Sequence, residues 1–391
     1  MAILTRHSSI ENVRSLGNDM VSEIILRLPI ESVARSKCVS KAWHATISDD
    51  YLRRKLPLRL SVLYFPDAVA NTTTKSPPRF ACASAAGAGG GGGKLEDRDL
   101  GFFPFMDTAV VCDASNGLLL LRAAGTTRFF VVDPVTRRWS ALPPPSRDPR
   151  LSMLAFDPSS SVSSGAGGGG GCYRVVNFTG RWRESGGEVE VFSSETWAWA
   201  PPRDVEFGVS PAALSGSMHF HGGAVYALAA DPDCVVRMDL AGGDLTCAVA
   251  ELPEAAGGDG RLAHSGGRLH YVATTTSDGG GARGVVKVWV LDGESPAALR
   301  WRLKHAVRLD GVAGDGDDEE VRFMALHPEK DAAYMSSAGR VVELDLARKE
   351  VTGVWKVGGE GEKNRVVKAW LVPSSLYLSD CLADAHVQVQ C

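Results

Sequence analysis

Two histidines are the residues of this chain whose type and spacing are best suited to metal chemistry. His219 and His221 lie two positions apart in the run SMHFHGG. Side chains at i and i+2 of a β-strand project to the same side, and imidazole is a common ligand of transition metals. The neighbouring sequence supplies no third ligand. We therefore interpret both as ordinary strand residues before a turn, and we predict no metal site.

An acidic run and a glycine-rich run could in principle bind a metal ion and a phosphate, but each is better explained as a loop. The acidic run DGDDEE, residues 315–320, does not have the spacing of an EF-hand and indicates a solvated loop. The run GAGGGGGK ends in Lys94, but Leu95 stands where a phosphate-binding loop has Ser or Thr. Signatures of serine hydrolases and zinc peptidases are absent from the sequence. We predict no catalytic residue and no cofactor.

Composition limits the classes of partner. The chain has 391 residues, of which 44% are hydrophobic and 23% charged, which is typical of a globular protein with more than one domain. A net charge of -4 gives no basic surface for nucleic acid. The sequence contains neither a membrane-spanning run nor a secretory signal, and its eight cysteines form no C-x-x-C pair. We expect a cytoplasmic or nuclear protein that binds no nucleic acid and no membrane.

Helical periodicity is confined to the N-terminal part. Apolar residues at i, i+3, i+4 and i+7 between residues 21 and 28 predict an amphipathic helix that Pro29 ends. Similar spacing around Val33 and over residues 39–47 predicts two more helices. A unit of about 40 residues buries too little surface to be stable alone. It is either a cap on its own chain or a module that docks on another protein.

The remaining sequence has a repeating β pattern. From about Leu58, short runs rich in β-branched residues alternate with turns, and closing strands that carry Trp or an LP pair recur about every 50 to 60 residues. Five blades of a propeller are visible between about residues 109 and 358. A sixth could combine VVKAWLVPS near the C-terminus with PLRLSVLYF and LGFFPF. We predict six blades, with five or seven as alternatives, and loops at the two glycine tracts.

The N-terminal residues resemble an F-box of the type common in plant F-box proteins. The resemblance covers roughly residues 16–52, and the chain departs from the pattern at Gly17, where proline is usual. The matching residues are Leu16, Asp19, Glu23, Ile24, Leu28, Pro29, Val33, Arg35, Lys37, Cys38, Val39, Lys41 and Trp43.

The rest of the chain is similar to the F-box-associated, kelch-like β-propeller. VVCDASNGLLLLR and FFVVDPVTRRWSALPPP carry this similarity. The resemblance implies a non-catalytic substrate receptor of an SCF-type cullin ubiquitin ligase, in which the F-box binds a Skp-family adaptor and the propeller captures an unknown target protein. The alternatives are a propeller scaffold or ligand-binding protein that acts outside a ligase, and a kelch-type propeller enzyme.

The predicted organisation is a small all-α F-box of three helices followed by an all-β propeller. We assign residues 1–15 to a flexible N-terminus, 16–55 to the F-box, 56–108 to a connecting segment with a glycine-rich loop, 109–380 to the propeller and 381–391 to a tail. The segment 56–108 could add strands to the closing blade.

Two sets of binding residues follow. The resemblance implies that nine residues bind the adaptor: Leu16, Met20, Ile24, Leu28, Pro29, Val33, Cys38, Val39 and Trp43. For the target we name Arg181, Trp182 and Arg183 in the run TGRWRES, because Trp and Arg are common anchors of interfaces. An exposed hairpin tip without a ligand is an equally good interpretation of these three residues.

Overall fold

The chain forms two compact units, residues 1–57 with 373–378 and residues 58–372 with 379–391. In none of the described helices do length and apolar character suffice to cross a lipid bilayer. The computed structural model describes residues 18–28, 30–48, 58–66, 77–83, 92–157, 172–240, 245–254, 260–275, 284–292, 300–309, 312, 321–337, 339–359, 364–373 and 382.

The described part of the first unit is helical. Its elements are α1 Asn18–Arg27, α2 Ile30–Ser36 and α3 Lys41–Ser48. Ser40 caps α3, because its Oγ accepts a hydrogen bond of 3.2 Å from the backbone N–H of Trp43. Each helix contributes one fully buried residue to the core, namely Ile25, Val33 and Ile47. So small a core leaves other apolar residues of the helices outside it.

The second unit is a six-bladed β-propeller, as the repeat predicts. Three strands open it: β1 Leu58–Pro66, β2 Arg79–Ala83 and β3 Gly93–Arg98. Blade 1 contains β4 Ala109–Ser115, β5 Leu118–Ala123, β6 Phe129–Asp133 and β7 Arg138–Ala141. Blade 2 contains β8 Pro149–Phe156, β9 Tyr173–Trp182, β10 Gly186–Ser193, and β11 Ala198–Trp199 with β12 Arg203–Glu206, which both pair with β10.

The next three blades are four-stranded antiparallel sheets in sequence order. Blade 3 contains β13 Leu214–His221, β14 Ala224–Ala229, β15 Cys234–Asp239 and β16 Thr246–Glu251. Blade 4 contains β17 Arg261–Ser265, β18 Arg268–Thr275, β19 Val285–Asp292 and β20 Arg300–Arg308. Blade 5 contains β21 Arg322–Leu326, β22 Ala332–Ser337, β23 Arg340–Asp345 and β24 Glu350–Lys356.

Blade 6 is built from both ends of the unit. The last strand, β25 Asn364–Pro373, is followed across the sheet by β1, β2 and β3. The outermost strand β3 also pairs in parallel with β24, with Trp355 opposite Gly93. Gly92, which adopts a φ of +87°, approaches blade 5 so closely that a Cβ there would lie 2.1 Å from the Val354 carbonyl oxygen. Only glycine fits at that position.

One sequence prediction for this region is wrong. LGFFPF forms turns instead of a strand, because its aromatic rings pack on blade 1: the Phe103 ring centroid lies 5.2 Å from that of Phe130 and 5.6 Å from that of Trp139. The third strand comes instead from Gly93–Arg98, which begins at the last glycine of the first tract. Residues 87–91 of that tract and the second tract, residues 165–171, both predicted to be loops, lie outside the described residues.

The repeated Asp at the end of the third strand of a blade begins a turn. In blade 1, Oδ1 of Asp133 accepts hydrogen bonds from the backbone N–H groups of Val135 and Thr136. In blade 5, Oδ1 of Asp345 does the same for Ala347 and Arg348. The Asp carboxylate supplies hydrogen-bond acceptors for backbone N–H groups that have no backbone partner in the tight turn. After this turn the chain reverses direction and forms the outer strand of the blade.

The repeated Trp of the outer strand connects neighbouring blades. The Trp199 indole N–H donates to the Pro143 carbonyl at 2.7 Å, which ties blade 2 to the segment after blade 1. The Trp301 indole donates to the Glu251 carbonyl, also at 2.7 Å, and ties blade 4 to blade 3. Each indole therefore combines apolar packing with one hydrogen bond across a blade boundary.

The innermost strands, β4, β8, β13, β17, β21 and β25, surround a central channel and run in one direction. At their ends, Asn116 Nδ2 donates to the Phe156 carbonyl at 2.7 Å, and Ser265 Oγ donates to the His327 carbonyl at 2.7 Å. We call the face where these strands begin the upper face, and the face where they end the lower face. Adjacent strands are therefore hydrogen-bonded side by side at the lower face.

A partly buried ion pair joins the last blade to the first. Lys368 of β25 donates to Asp113 Oδ1 of β4 at 2.6 Å and to the Ala114 carbonyl at 2.5 Å. The other carboxylate oxygen of Asp113 accepts from the Leu154 N–H of β8 at 2.9 Å. The inner strands of blades 6, 1 and 2 are thus linked through one carboxylate.

Histidines join blades 3 and 4. The ring atoms His219 Nε2 and His264 Nδ1 lie 3.0 Å apart, and His221 stacks on His264 with centroids 4.7 Å apart. Burial is the main cause that lowers the pKa of His264 to about 4, and the neighbouring His221 adds to it. Burial also lowers the pKa of His219 well below its usual value, and the neighbouring His264 and His221 add to the shift. Both rings are neutral at physiological pH.

We expect Lys368→Met to lower the free energy of unfolding of the propeller by about 1–3 kcal/mol, because the largely buried Asp113 would lose its cation. Chemical denaturation measures this loss. Lys356→Met, at an exposed position of β24, is the matched control and should have little effect. The double variant Asp113→Asn/Lys368→Met should lose less than the sum of the single variants. Equal effects of Lys368→Met and Lys356→Met would contradict the role of the pair.

We expect the propeller to lose stability as the pH falls from about 6.5 towards 4. The pKa of His264 is about 4 in the fold but about 6.5 in an unfolded chain, so over this range the unfolded state binds more protons. The contribution of His264 is complete above pH 6.5 and shrinks by roughly 2 kcal/mol by pH 5. His264→Gln should flatten the pH dependence of urea unfolding, whereas His44→Gln in the helical unit should not. An unchanged slope for His264→Gln would refute the assignment.

Candidate functional site

Exposed apolar side chains on the helical unit form the first candidate surface. Met20 and Ile24 lie one turn apart on α1, and their exposed fractions are 58% and 41%. Val39, in the turn before α3, is 66% exposed, and the neighbouring Cys38 is exposed as well. Large apolar side chains that a helical unit leaves in solvent favour a protein partner.

The other residues predicted to bind an adaptor have different positions. Val33 is fully buried between the helices and offers no surface to a partner, so we remove it from the set. The sequence pattern did not distinguish it from its exposed neighbours, because helical spacing marks an apolar face but not what covers it. Leu28 and Trp43 are partly buried against the same core. Leu16 and Pro29 lie outside the described residues.

The central channel of the propeller is the second candidate site. It has a volume of about 500 Å³, and the inner strands of all six blades line it. Apolar side chains such as Met153, Met218 and Phe323 form part of its wall. A cavity of this size and mixed character is typical of a binding site for a small group or a few side chains.

Arginines mark the upper end of the channel. Arg261 is the first residue of β17, Arg322 is the first of β21, and Arg365 is the second of β25. The guanidinium carbon of Arg365 lies 6.0 Å from the centroid of Phe65, and Arg261 Nη1 donates to the Gly260 carbonyl at 3.1 Å. We call these three residues the arginine mouth.

Sequence reasoning missed the arginine mouth, although a signal was present. The runs RLAHS, RFMAL and NRVVKAW each carry an Arg at or next to the start of an inner strand. Aligning the repeats by their first strands would have placed the three side chains at one end of the channel. The repeat was recognised instead from its third and fourth strands, whose Asp and Trp are more conspicuous.

The histidines predicted as possible ligands do meet a third histidine, but not in a metal geometry. His221 and His264 are stacked with an angle of 11° between their planes, so their ring nitrogens do not converge on one point. Within the described part of the chain, no group of three or more His, Cys, Asp or Glu is arranged to hold a metal ion. The acidic run 315–320 lies outside the described residues.

The predicted target-binding residues lie at the tip of the β9–β10 hairpin. Pro149, where β8 begins, pairs with Thr179 near this tip, which places the hairpin on the upper face. The Trp182 ring lies under the guanidinium of Arg150 at 4.8 Å, and Arg183 forms an ion pair of 2.8 Å with Asp204 of β12. The hairpin is therefore an ordered surface feature on the same face as the arginine mouth.

Comparisons with known proteins agree with this architecture. The family model for the β-propeller of F-box proteins like At3g26010 matches residues 103–370, and the F-box domain model matches residues 14–55. The putative F-box/kelch-repeat protein At4g22430 of Arabidopsis thaliana is 28% identical over 73% of this chain and 68% of its own length. The Arabidopsis F-box protein At3g26010 is 25% identical over 78% of this chain and 70% of its own. The chain therefore belongs to the family of F-box proteins that carry an At3g26010-like β-propeller.

Proposed function

We propose that this protein is the substrate-recognition subunit of an SCF-type cullin ubiquitin ligase. The observation that carries the proposal is the combination, in one chain, of an F-box and a propeller of the same family. The F-box docks on a Skp-family adaptor and through it on the cullin. The propeller holds a target protein, and the site of action is the cytoplasm or the nucleus.

The adaptor surface is supported by the exposure of the apolar residues of the helical unit. Met20 and Ile24 form one continuous stripe on α1, and Val39 adds a second apolar contact. Burying such side chains against a partner contributes roughly 1.5–3 kcal/mol for each fully buried residue. Leu28 and Trp43 pack against the core of the unit and thereby stabilise the helices that carry this surface.

The target surface is supported by the upper face of the propeller. Blade strands are committed to sheet pairing and blade packing, whereas the loops and the channel opening remain accessible to a ligand. The hairpin with Arg181, Trp182 and Arg183 and the arginine mouth both belong to this face.

The subunit has no chemical step of its own in this proposal. It acts by holding a target lysine near the ubiquitin thioester of a conjugating enzyme, which raises the effective concentration of the two reacting groups. A protein that binds no adaptor would be a scaffold instead. The adaptor experiment therefore decides between the two functions.

We expect Ile24→Ala/Val39→Ala to reduce pull-down of a purified Skp-family adaptor by about tenfold or more, because both side chains are anchors of the apolar surface. Both residues are exposed, so the helical unit should stay folded by circular dichroism. Arg27→Ala is the control on the same helix, since its ion pair with Glu23 is exposed on both sides. Trp43→Ala would be less informative, because it also removes support from the core.

If the adaptor binds the double variant as well as the wild type, the proposed surface is wrong. Absence of adaptor binding by the wild-type protein itself would refute the ligase function and leave the scaffold.

We expect Arg181→Ala/Arg183→Ala to reduce capture of target proteins while leaving adaptor binding intact. Proximity labelling with and without proteasome inhibition identifies the targets that are lost. The variant Arg348→Ala/Lys349→Ala removes the same charge from the β23–β24 turn on the lower face and is the matched control. Adding Trp182→Ala tests the whole tip, at the cost of its stacking contact with Arg150.

Loss of targets in the lower-face variant, with retention in the hairpin variant, would show that the target binds on the lower face.

A further inference from the structure

Five polar residues are buried on one face of blade 2. They are Ser152 of β8, Asn177 and Thr179 of β9, and Glu188 and Glu190 of β10. Asn177 and Thr179 have no exposed surface, and Glu190 is 1% exposed. Polar and charged side chains are rarely so deeply buried unless they are paired. Each of the five therefore requires a hydrogen-bond partner or a counter-ion.

Three of these residues form a row across the blade, which we call the polar row: Ser152, Asn177 and Glu190. Ser152 lies opposite Asn177 in the β8–β9 register, and Asn177 lies opposite Glu190 in the β9–β10 register. Directly opposed side chains of antiparallel strands lie on the same face, with Cβ atoms about 4.5–5.5 Å apart. The amide of Asn177 therefore stands between a hydroxyl and a carboxylate.

Two members of the polar row have unpaired atoms in the interior. Oδ1 and Nδ2 of Asn177 and Oε2 of Glu190 are buried and have no hydrogen-bond partner among the protein atoms. The other carboxylate oxygen, Oε1 of Glu190, accepts from the backbone N–H of Ser146 at 3.0 Å. A buried carboxylate with one hydrogen bond and no counter-ion is destabilising, because its charge has lost the surrounding water.

The basic residue of this cluster, Arg147, is already engaged by the other glutamate. Arg147 Nε lies 2.8 Å from Oε1 of Glu188, and the same oxygen accepts from Thr179 Oγ1 at 2.9 Å. Among the described residues, Glu190 has no ion-pair partner. The β8–β9 connection, residues 158–171, lies outside the described residues, but its sequence contains no charged residue. Two carboxylates thus share one guanidinium, which leaves a single negative charge on Glu190.

The polar row lies close to the surface of the propeller. Residues 142–148 connect blade 1 to blade 2, and within this segment Ser146 is exposed while its backbone N–H binds Glu190. The side chains of Arg147 and Glu188 keep 39% and 11% of their surface exposed. One layer of chain therefore separates Glu190 from solvent, and an ion has a short path to it.

The polar row offers oxygen ligands that suit a hard cation. Carboxylate, amide carbonyl and hydroxyl oxygens are preferred by alkali and alkaline-earth ions, whereas transition metals favour nitrogen and sulfur. Glu190, Asn177 and Ser152 offer one such oxygen each, from three adjacent strands. Calcium sites usually supply several carboxylates. The single uncompensated charge of Glu190 is instead balanced by one monovalent ion.

We propose that the polar row binds a monovalent metal cation, Na⁺ or K⁺, between blade 2 and the segment that connects it to blade 1. The ion compensates the buried carboxylate of Glu190 and takes Oδ1 of Asn177 as a second ligand. The strand that carries Glu190 begins directly after the hairpin tip with Arg181 and Arg183, so the ion fixes the base of that hairpin. This inference goes beyond the proposed function and does not depend on it.

The test compares thermal unfolding of the full-length chain in NaCl, KCl and choline chloride at equal ionic strength. Tryptophan fluorescence follows the propeller, since every tryptophan except Trp43 lies in that unit. An ion that binds only the folded state stabilises it, so the midpoint should be about 2–4 °C higher in NaCl or KCl than in choline chloride. Equal midpoints in the three salts would overturn the proposal.

Variants of the polar row locate the effect. Glu190→Gln and Asn177→Leu each remove one ligand and should abolish the difference between the salts. Glu254→Gln is the matched control, because it removes a partly buried carboxylate that has its own cation, Lys287 at 2.6 Å. It should lower the midpoint by the same amount in all salts and preserve their difference. A difference that persists in Glu190→Gln would mean that the ions act elsewhere, and the proposal would be wrong.

Asn177→Asp tests for a gain of binding that a purely structural role would not produce. A second carboxylate in the polar row should make the midpoint respond to CaCl₂. Absence of this response would contradict an ion beside Asn177. In the wild type, stabilisation by CaCl₂ but not by NaCl or KCl would refute the monovalent assignment. Broadening of the sodium NMR line by the wild type, reduced in Glu190→Gln, measures binding without unfolding and decides the question where Asn177→Leu does not fold.

Discussion

Closure of the ring is the constraint on which the rest of this structure depends. Blade 6 is complete only when strand β25 returns across the whole unit to lie beside β1, whose edge would otherwise be exposed. Lys368 and Asp113, which form the ion pair at this junction, are 255 residues apart in the chain. Bringing such distant residues together costs conformational entropy, which is lost before the stabilising contacts form. A buried, multiply hydrogen-bonded carboxylate at the junction offsets part of that cost.

Closure also requires each blade to be held to its neighbour, at the outer strands and at the inner strands. The chemistry of these contacts varies around the ring. Trp199 and Trp301 use an indole N–H, Asn116 and Ser265 use their polar side chains, and blades 3 and 4 use paired neutral imidazoles. The histidine pair is thus a structural joint, and its dependence on burial makes it sensitive to acid.

The two units differ in how completely they cover their own apolar side chains. The propeller covers its own apolar faces by stacking blades in a circle. The helical unit has a core of Ile25, Val33 and Ile47 and leaves Ile24 and Val39 in solvent. A unit that small gains stability by covering those side chains with a partner. The proposed function therefore assigns docking to the helices and target recognition to the propeller.

The sequence by itself determined the class of each unit and the repeat, and it favoured six blades while leaving five or seven open. Those features depend on local periodicity, on Asp and Trp at fixed places in the repeat, and on residues of the F-box pattern that lie close together in the chain. It misplaced the third strand of blade 6, because Gly93–Arg98 is ordered by pairing with β24 and not by its own propensity. The tertiary structure alone decided that Val33 is buried while Val39 is exposed, that His264 meets His219, and that three arginines share one channel opening. The burial of Val33 depends on how the three helices pack on one another. The other two outcomes depend on contacts between strands far apart in sequence, which are fixed only when the ring closes.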